Sequence, residues 1–152
     1  VRSSQSTFGA DTRRETEVRV DTIQVGAKRL FEVLPGVFAS LNLKTATIEE
    51  EALNVISENT MFRRTFDGER LSHFLTCGSS AAGNNADLYF VSLRLQSWAE
   101  RVGDSTAMLH TAVRASARPA DNGASNAVPC ASTGRIEKRI RQLVALNALA
   151  KQ

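Results

Sequence analysis

Two stretches of the chain alternate apolar and polar residues with a period of two. In ADLYFVSLRLQSW, Tyr89, Val91, Leu93 and Leu95 alternate with Phe90, Ser92, Arg94 and Gln96. In STAMLHTAVRASAR, Leu109, Thr111, Val113, Ala115 and Ala117 alternate with Met108, His110, Ala112, Arg114, Ser116 and Arg118. Each set therefore lines one face of a strand. The link RVGDS (101–105) is short, so the pair reads as a long antiparallel hairpin with one packed face and one largely wet face. The small Ala row leaves room for a bulky partner, expected to be a helix.

Upstream, TEVRVDTIQ (16–24) carries Val18 and Val20 against charged neighbours and predicts a half-buried strand. The period then becomes helical. Leu30, Leu34, Val37, Phe38 and Leu41 share one face, with Phe31 and Val33 at its margins. Pro35-Gly36 predicts a kink in this helix, which should end near Asn42. KTATIEEE (44–51) and ALNVISE (52–58) read as strands joined by an acidic turn, with Ile48, Leu53 and Val55 or Ile56 inward. TMFRRTF (60–66) reads as another strand and Asp67-Gly68 as a turn. ERLSHFL (69–75) suggests one helical turn, and CGSSAAGNNAD (77–87) a loop.

After a Gly/Asn/Ala-rich loop between Pro119 and Pro129, Ser132 and Thr133 offer N-caps, with Glu137 in the first turn. Ile136, Ile140, Leu143, Val144 and Asn147 form the inward stripe of a C-terminal helix. The expected fold class is α+β. A mainly antiparallel sheet is covered by a kinked N-terminal helix and an amphipathic C-terminal helix, a two-layer sandwich of helix-grip kind. A ferredoxin-like arrangement is the alternative.

Length and composition set the scale. The 152 residues, 42% hydrophobic and 23% charged, suit one globular domain over 15–152. Residues 1–14, polar and with three Arg, read as a tether. The chain opens at Val1 without a charged-then-apolar leader, so either a signal peptide has been removed or the chain has been trimmed. A net charge of +3 is too small to mark a nucleic-acid binder, and no aromatic stacking platform accompanies the basic residues. No apolar run approaches the roughly 20 residues of a membrane span.

Catalytic equipment is sparse. His73 and His110 are the two imidazoles, and Ser72 beside His73 points away from it because sequence neighbours diverge. No Cys-x-x-Cys is present, and two Cys with two scattered His do not space as zinc ligands. Glu49, Glu50 and Glu51 lack the spaced oxygen ligands of a calcium loop. The segment from Gly78 to Gly83 lacks the Gly-Lys-Ser/Thr ending of a phosphate loop. No catalytic residue, cofactor or metal is therefore expected.

Cys77 in FLTCGSS and Cys130 in AVPCAST both sit beside small, polar or turn-forming residues, outside any apolar stripe. Free cysteines are usually buried, so these two read better as a bridge. Closing about 53 residues, it would stabilise the fold by about 4 kcal/mol. It implies an oxidising compartment.

FDGERLSHFLTCGSSAAGNNADLYFVSL, followed by PCASTGRIEKRI, resembles uncharacterised bacterial envelope domains of lipoprotein type. The shared features are a Cys-Gly loop, a long hairpin and a Cys-x-Ser-Thr-Gly entry into a last helix. The resemblance covers roughly residues 66–141 and implies a periplasmic setting, soluble or peripheral to a membrane. It implies no activity. The architecture is also similar to helix-grip domains of outer-membrane assembly lipoproteins, at the level of fold alone.

Two candidate contact features remain. One is basic: Arg63, Arg64, Arg135, Lys138, Arg139 and Arg141, suited to anionic lipid headgroups or an acidic partner. The other is Phe90, Trp98 and Met108, on the rows opposite the packed face of the hairpin. These features lead to the expectation of a non-catalytic, extracytoplasmic accessory subunit docked on a membrane-associated protein assembly. The alternative is a small carrier of an apolar ligand or lipid, held beneath the C-terminal helix.

Overall fold

The computed structural model describes residues 18–119 and 126–150. The expected tether at 1–14 lies outside them. In chain order the elements begin with β1 (Val18–Ile23), α1 (Ala27–Ser40), β2 (Thr45–Glu49), β3 (Asn54–Ser57) and β4 (Thr60–Arg63). Short pieces follow: β5 (Thr65–Phe66), β6 (Glu69–Arg70), a 3-10 turn at Leu71–His73, β7 (Leu75–Thr76), β8 (Ser79–Ser80), β9 (Gly83–Asn84) and α2 (Asn85–Leu88). The chain closes with β10 (Phe90–Gly103), β11 (Thr106–Arg118), β12 (Val128–Ser132) and α3 (Arg135–Ala150). The fold is α+β, with three α-helices among the described residues and antiparallel pairing in every registered strand pair.

Two compact units divide the chain, with boundaries inside β10, β11 and α3. One contains Asn59–Arg94 and Val113–Ile136, and is called the disulfide unit. The other contains Val18–Glu58, Leu95–Ala112 and the chain from Glu137 onward, and is called the helical unit.

In the helical unit, β1 pairs β11, β3 pairs β10 and β2 pairs β3. Helix α1 buries Leu30, Leu34, Val37 and Phe38 completely, which is the expected stripe. Pro35 lies inside α1 without ending it. The end is set one turn later by a Schellman motif. Leu43 N–H bonds the Phe38 carbonyl at 3.0 Å and Asn42 N–H that of Ala39 at 3.0 Å, with Asn42 at φ 64°. Gly26 caps the other end, where an added Cβ would lie 2.8 Å from the Asp104 carbonyl oxygen. On α3, Ile140, Val144 and Ala148 are fully buried. Asn147, expected inward, is exposed, and Ala148, one turn beyond Val144, is buried.

In the disulfide unit, β4 pairs the start of β10, β12 pairs the end of β11, and β7 pairs β12. Phe62, Phe66 and Phe74 stack edge-to-face in series, with centroids 5.0 and 5.1 Å apart. The strand expected over 60–66 is broken at Arg64, whose φ of 72° turns the chain between β4 and β5. Asp67 and Gly68, at φ 51° and 81°, form the two-residue turn of the β5–β6 hairpin. The segment expected as a loop holds the β8–β9 hairpin and one turn of helix, whose polar composition conceals pairing only two residues deep. Strand β12 is also additional to the sequence reading; it pairs Pro129 with Ser116.

Candidate functional site

Cys77 and Cys130 form the expected disulfide, both buried, with Cα atoms 4.2 Å apart. Thr76 pairs Ala131 in the β7–β12 ladder, so the two cysteines meet at its next step. The bridge thus extends a pairing that is only two residues long. Around it, Asn85 Nδ2 donates to the Cys77 carbonyl at 3.1 Å, and Thr76 Oγ1 donates to the Ala131 carbonyl at 3.2 Å. Such a bridge fits an oxidising, extracellular-type compartment.

On the outer face of the same unit, β4 and β10 place four side chains side by side. The register sets Arg63 opposite Phe90 and Met61 opposite Ser92. The intervening residues Val91 and Leu93 are fully buried, so alternation turns Phe90, Ser92, Met61 and Arg63 outward. The Arg63 guanidinium carbon stands 4.8 Å from the Phe90 ring centroid, a cation–π contact. Met61 is 58% exposed. Ser92 Oγ donates to Asn59 Oδ1 at 2.7 Å, fixing the edge of the patch. Met61 is the residue the sequence reading missed; its signal is alternation with Phe62 between two polar-row residues.

Trp98 does not join this patch. It is 4% exposed, which corrects its expected place on a contact surface. Its ring stacks on His110 with centroids 4.9 Å apart and planes 9° from parallel. His110 is itself buried, and its Nε2 lies 2.7 Å from Glu100 Oε1. Beside them Gln96 Nε2 donates to Asn54 Oδ1 at 3.0 Å, and Asn54 Nδ2 donates to Glu49 Oε1 at 2.8 Å. Both rows of the hairpin are buried here, over 95–99 and 109–112, where the alternation led one to expect a wet face. Met108 is half-buried and accepts the Thr22 hydroxyl at 3.2 Å.

The basic residues scatter by role. Arg64, Arg135 and Lys138 are exposed. Arg135 Nη1 lies 3.4 Å from Glu69 Oε1, which also lies 3.2 Å from His73 Nδ1. Arg139 and Arg141 are half-buried; Arg141 reaches Asp21 at 3.9 Å, where Arg19 also lies at 3.5 Å. Ile48, expected inward, is 51% exposed because β2, paired among the described residues with β3 alone, holds Ile48 at the sheet margin. Among the described residues no three His, Cys, Asp or Glu side chains gather as metal ligands. Ser72 engages Asp87 through its backbone N–H at 2.9 Å. An open cleft of about 970 Å³ lies beside the start of α1, lined by Lys28, Arg29, Glu32, Arg101 and Asp104 among others, with both charge signs interspersed.

No protein-family model matches the chain, and no curated protein matches it. Among solved structures, it is similar to a DUF4468 family protein from Bacteroides ovatus, at 8% identity and a TM-score of 0.39. That match covers 75% of this chain, which spans 59% of the other. It is also similar to norcoclaurine synthase from Thalictrum flavum, solved with dopamine and hydroxybenzaldehyde, at 11% identity and a TM-score of 0.37. Coverage there is 90% of this chain and 91% of that one. At these values neither likeness carries an argument about what the chain does.

Proposed function

We propose that the protein is a non-catalytic, extracytoplasmic accessory subunit that docks on a membrane-associated protein assembly in the bacterial periplasm. The observation that supports this reading is the outward Met61, Arg63 and Phe90 patch on β4 and β10. Met, Arg and aromatic residues are the types enriched where proteins meet. A guanidinium stacked over an aromatic ring presents a flat, weakly hydrated surface that desolvates at lower cost than an ammonium group. The patch is held by paired strands, which keeps it in shape before a partner arrives. No described helix is long and apolar enough to cross a membrane, so membrane association through the described helices would run through a partner or a surface contact.

The test is capture from detergent-solubilised native membranes with the tagged wild-type chain and with Met61→Asp/Arg63→Glu. The reading expects one defined set of proteins with the wild type and its loss with the double variant. Retention of the same set by the variant would contradict it. A stoichiometric lipid or apolar ligand in native mass spectra, with no protein captured, would favour the carrier reading instead.

A further inference from the structure

We propose that the outward face of α3 over residues 138–149 is a contact for an anionic lipid surface. Ile140, Val144 and Ala148 define the buried side of the helix. At 100° per residue, the opposite side carries Lys138, Gln142, Leu146 and Leu149, and all four are exposed. Leu146 is 67% and Leu149 57% exposed, whereas Arg135, Lys138, Gln142 and Asn147, the other exposed residues described in α3, are polar or charged. The face is polarised along its axis. Lys138 opens it, and the leucines close it about 16 Å further on. Glu137 is the single acid of α3 and is buried, so no carboxylate of the helix stands on this face.

This distribution suits a bilayer margin better than a second copy of the chain. A stable dimer buries about 800 Å² per partner, which two leucines on one helical turn do not supply. A membrane interface needs less. Leucines enter the headgroup–acyl boundary to a depth of about 5–10 Å while a lysine meets phosphate at headgroup level. The polarity sets the orientation: the Leu146–Leu149 turn dips inward and the Lys138 turn stays among the headgroups. The contact adds lipid to the docking reading but does not depend on it, since vesicles contain no protein partner.

Flotation of the full chain with phosphatidylglycerol vesicles tests the assignment, with phosphatidylcholine vesicles as the neutral control. Binding is expected with the anionic vesicles and about fivefold weaker with the neutral ones. Leu146→Asp/Leu149→Asp should lower binding at least tenfold, and Lys138→Gln about fivefold. Circular dichroism on both variants should match the wild type, and the Met61/Arg63 capture should be unchanged. The assignment is overturned by absent binding, by equal binding to both compositions, or by folded variants that bind as the wild type does. A dimer in sedimentation that the leucine variant abolishes would also overturn it, by giving the face to a second copy.

Discussion

Among the described residues of the disulfide unit, five strand segments are two residues long, and the longest stretches of regular pairing come from the ends of β10 and β11. The helical unit instead rests on a 14-residue α1 with a continuous apolar stripe and on most of the 16-residue α3. Two-residue pairings bury little and are not stable alone. They persist here through non-periodic devices: a covalent bridge beside β7, three phenylalanines in series, and a turn with two left-handed residues. A helix with a full apolar face needs none of these. Both units bury apolar side chains, Phe66, Leu71, Phe74 and Leu93 in one and Leu30, Leu34 and Phe38 in the other. The first adds specific devices where its regular pairing is short, and the second relies on helical stripes.

Substitutions can break that contrast. Replacing both cysteines, Cys77→Ala/Cys130→Ala, should cost about 4 kcal/mol in guanidinium unfolding, from the 53-residue loop the bridge closes. A variant as stable as the wild type would mean that the short pairings hold without the bridge. Leu34→Ala, at a fully buried position of α1, should cost about 3 kcal/mol through lost transfer energy and a cavity. Gly26→Ala should cost about 1–3 kcal/mol, since its Cβ would press on the Asp104 backbone, which has no flexible end to yield. The smallest effect runs the other way. Arg64→Gly should gain up to about 1 kcal/mol by relieving an exposed left-handed residue, read as a raised Tm.

The same contrast explains what could be read from the residues alone. The stripe of α1 and the alternation in β10 and β11 are local and repeat, so periodicity reveals them. The cysteine pairing was legible from composition around each Cys. Trp98 was misread because its burial comes from stacking on His110, twelve residues away in sequence and adjacent only across the hairpin. The β8–β9 hairpin and β12 escaped because two to five paired residues rich in Gly, Ser or Pro carry no period. Met61 and Phe90 belong together through strand register, which the residues of either strand do not encode by themselves.

The docking claim is tested most directly by photo-crosslinking from position 61 in native membranes, with position 48 as a second exposed apolar site in the helical unit. The account predicts one dominant protein adduct from position 61 and none of that species from position 48. The same adducts from both positions, or no protein adduct from position 61, would contradict it.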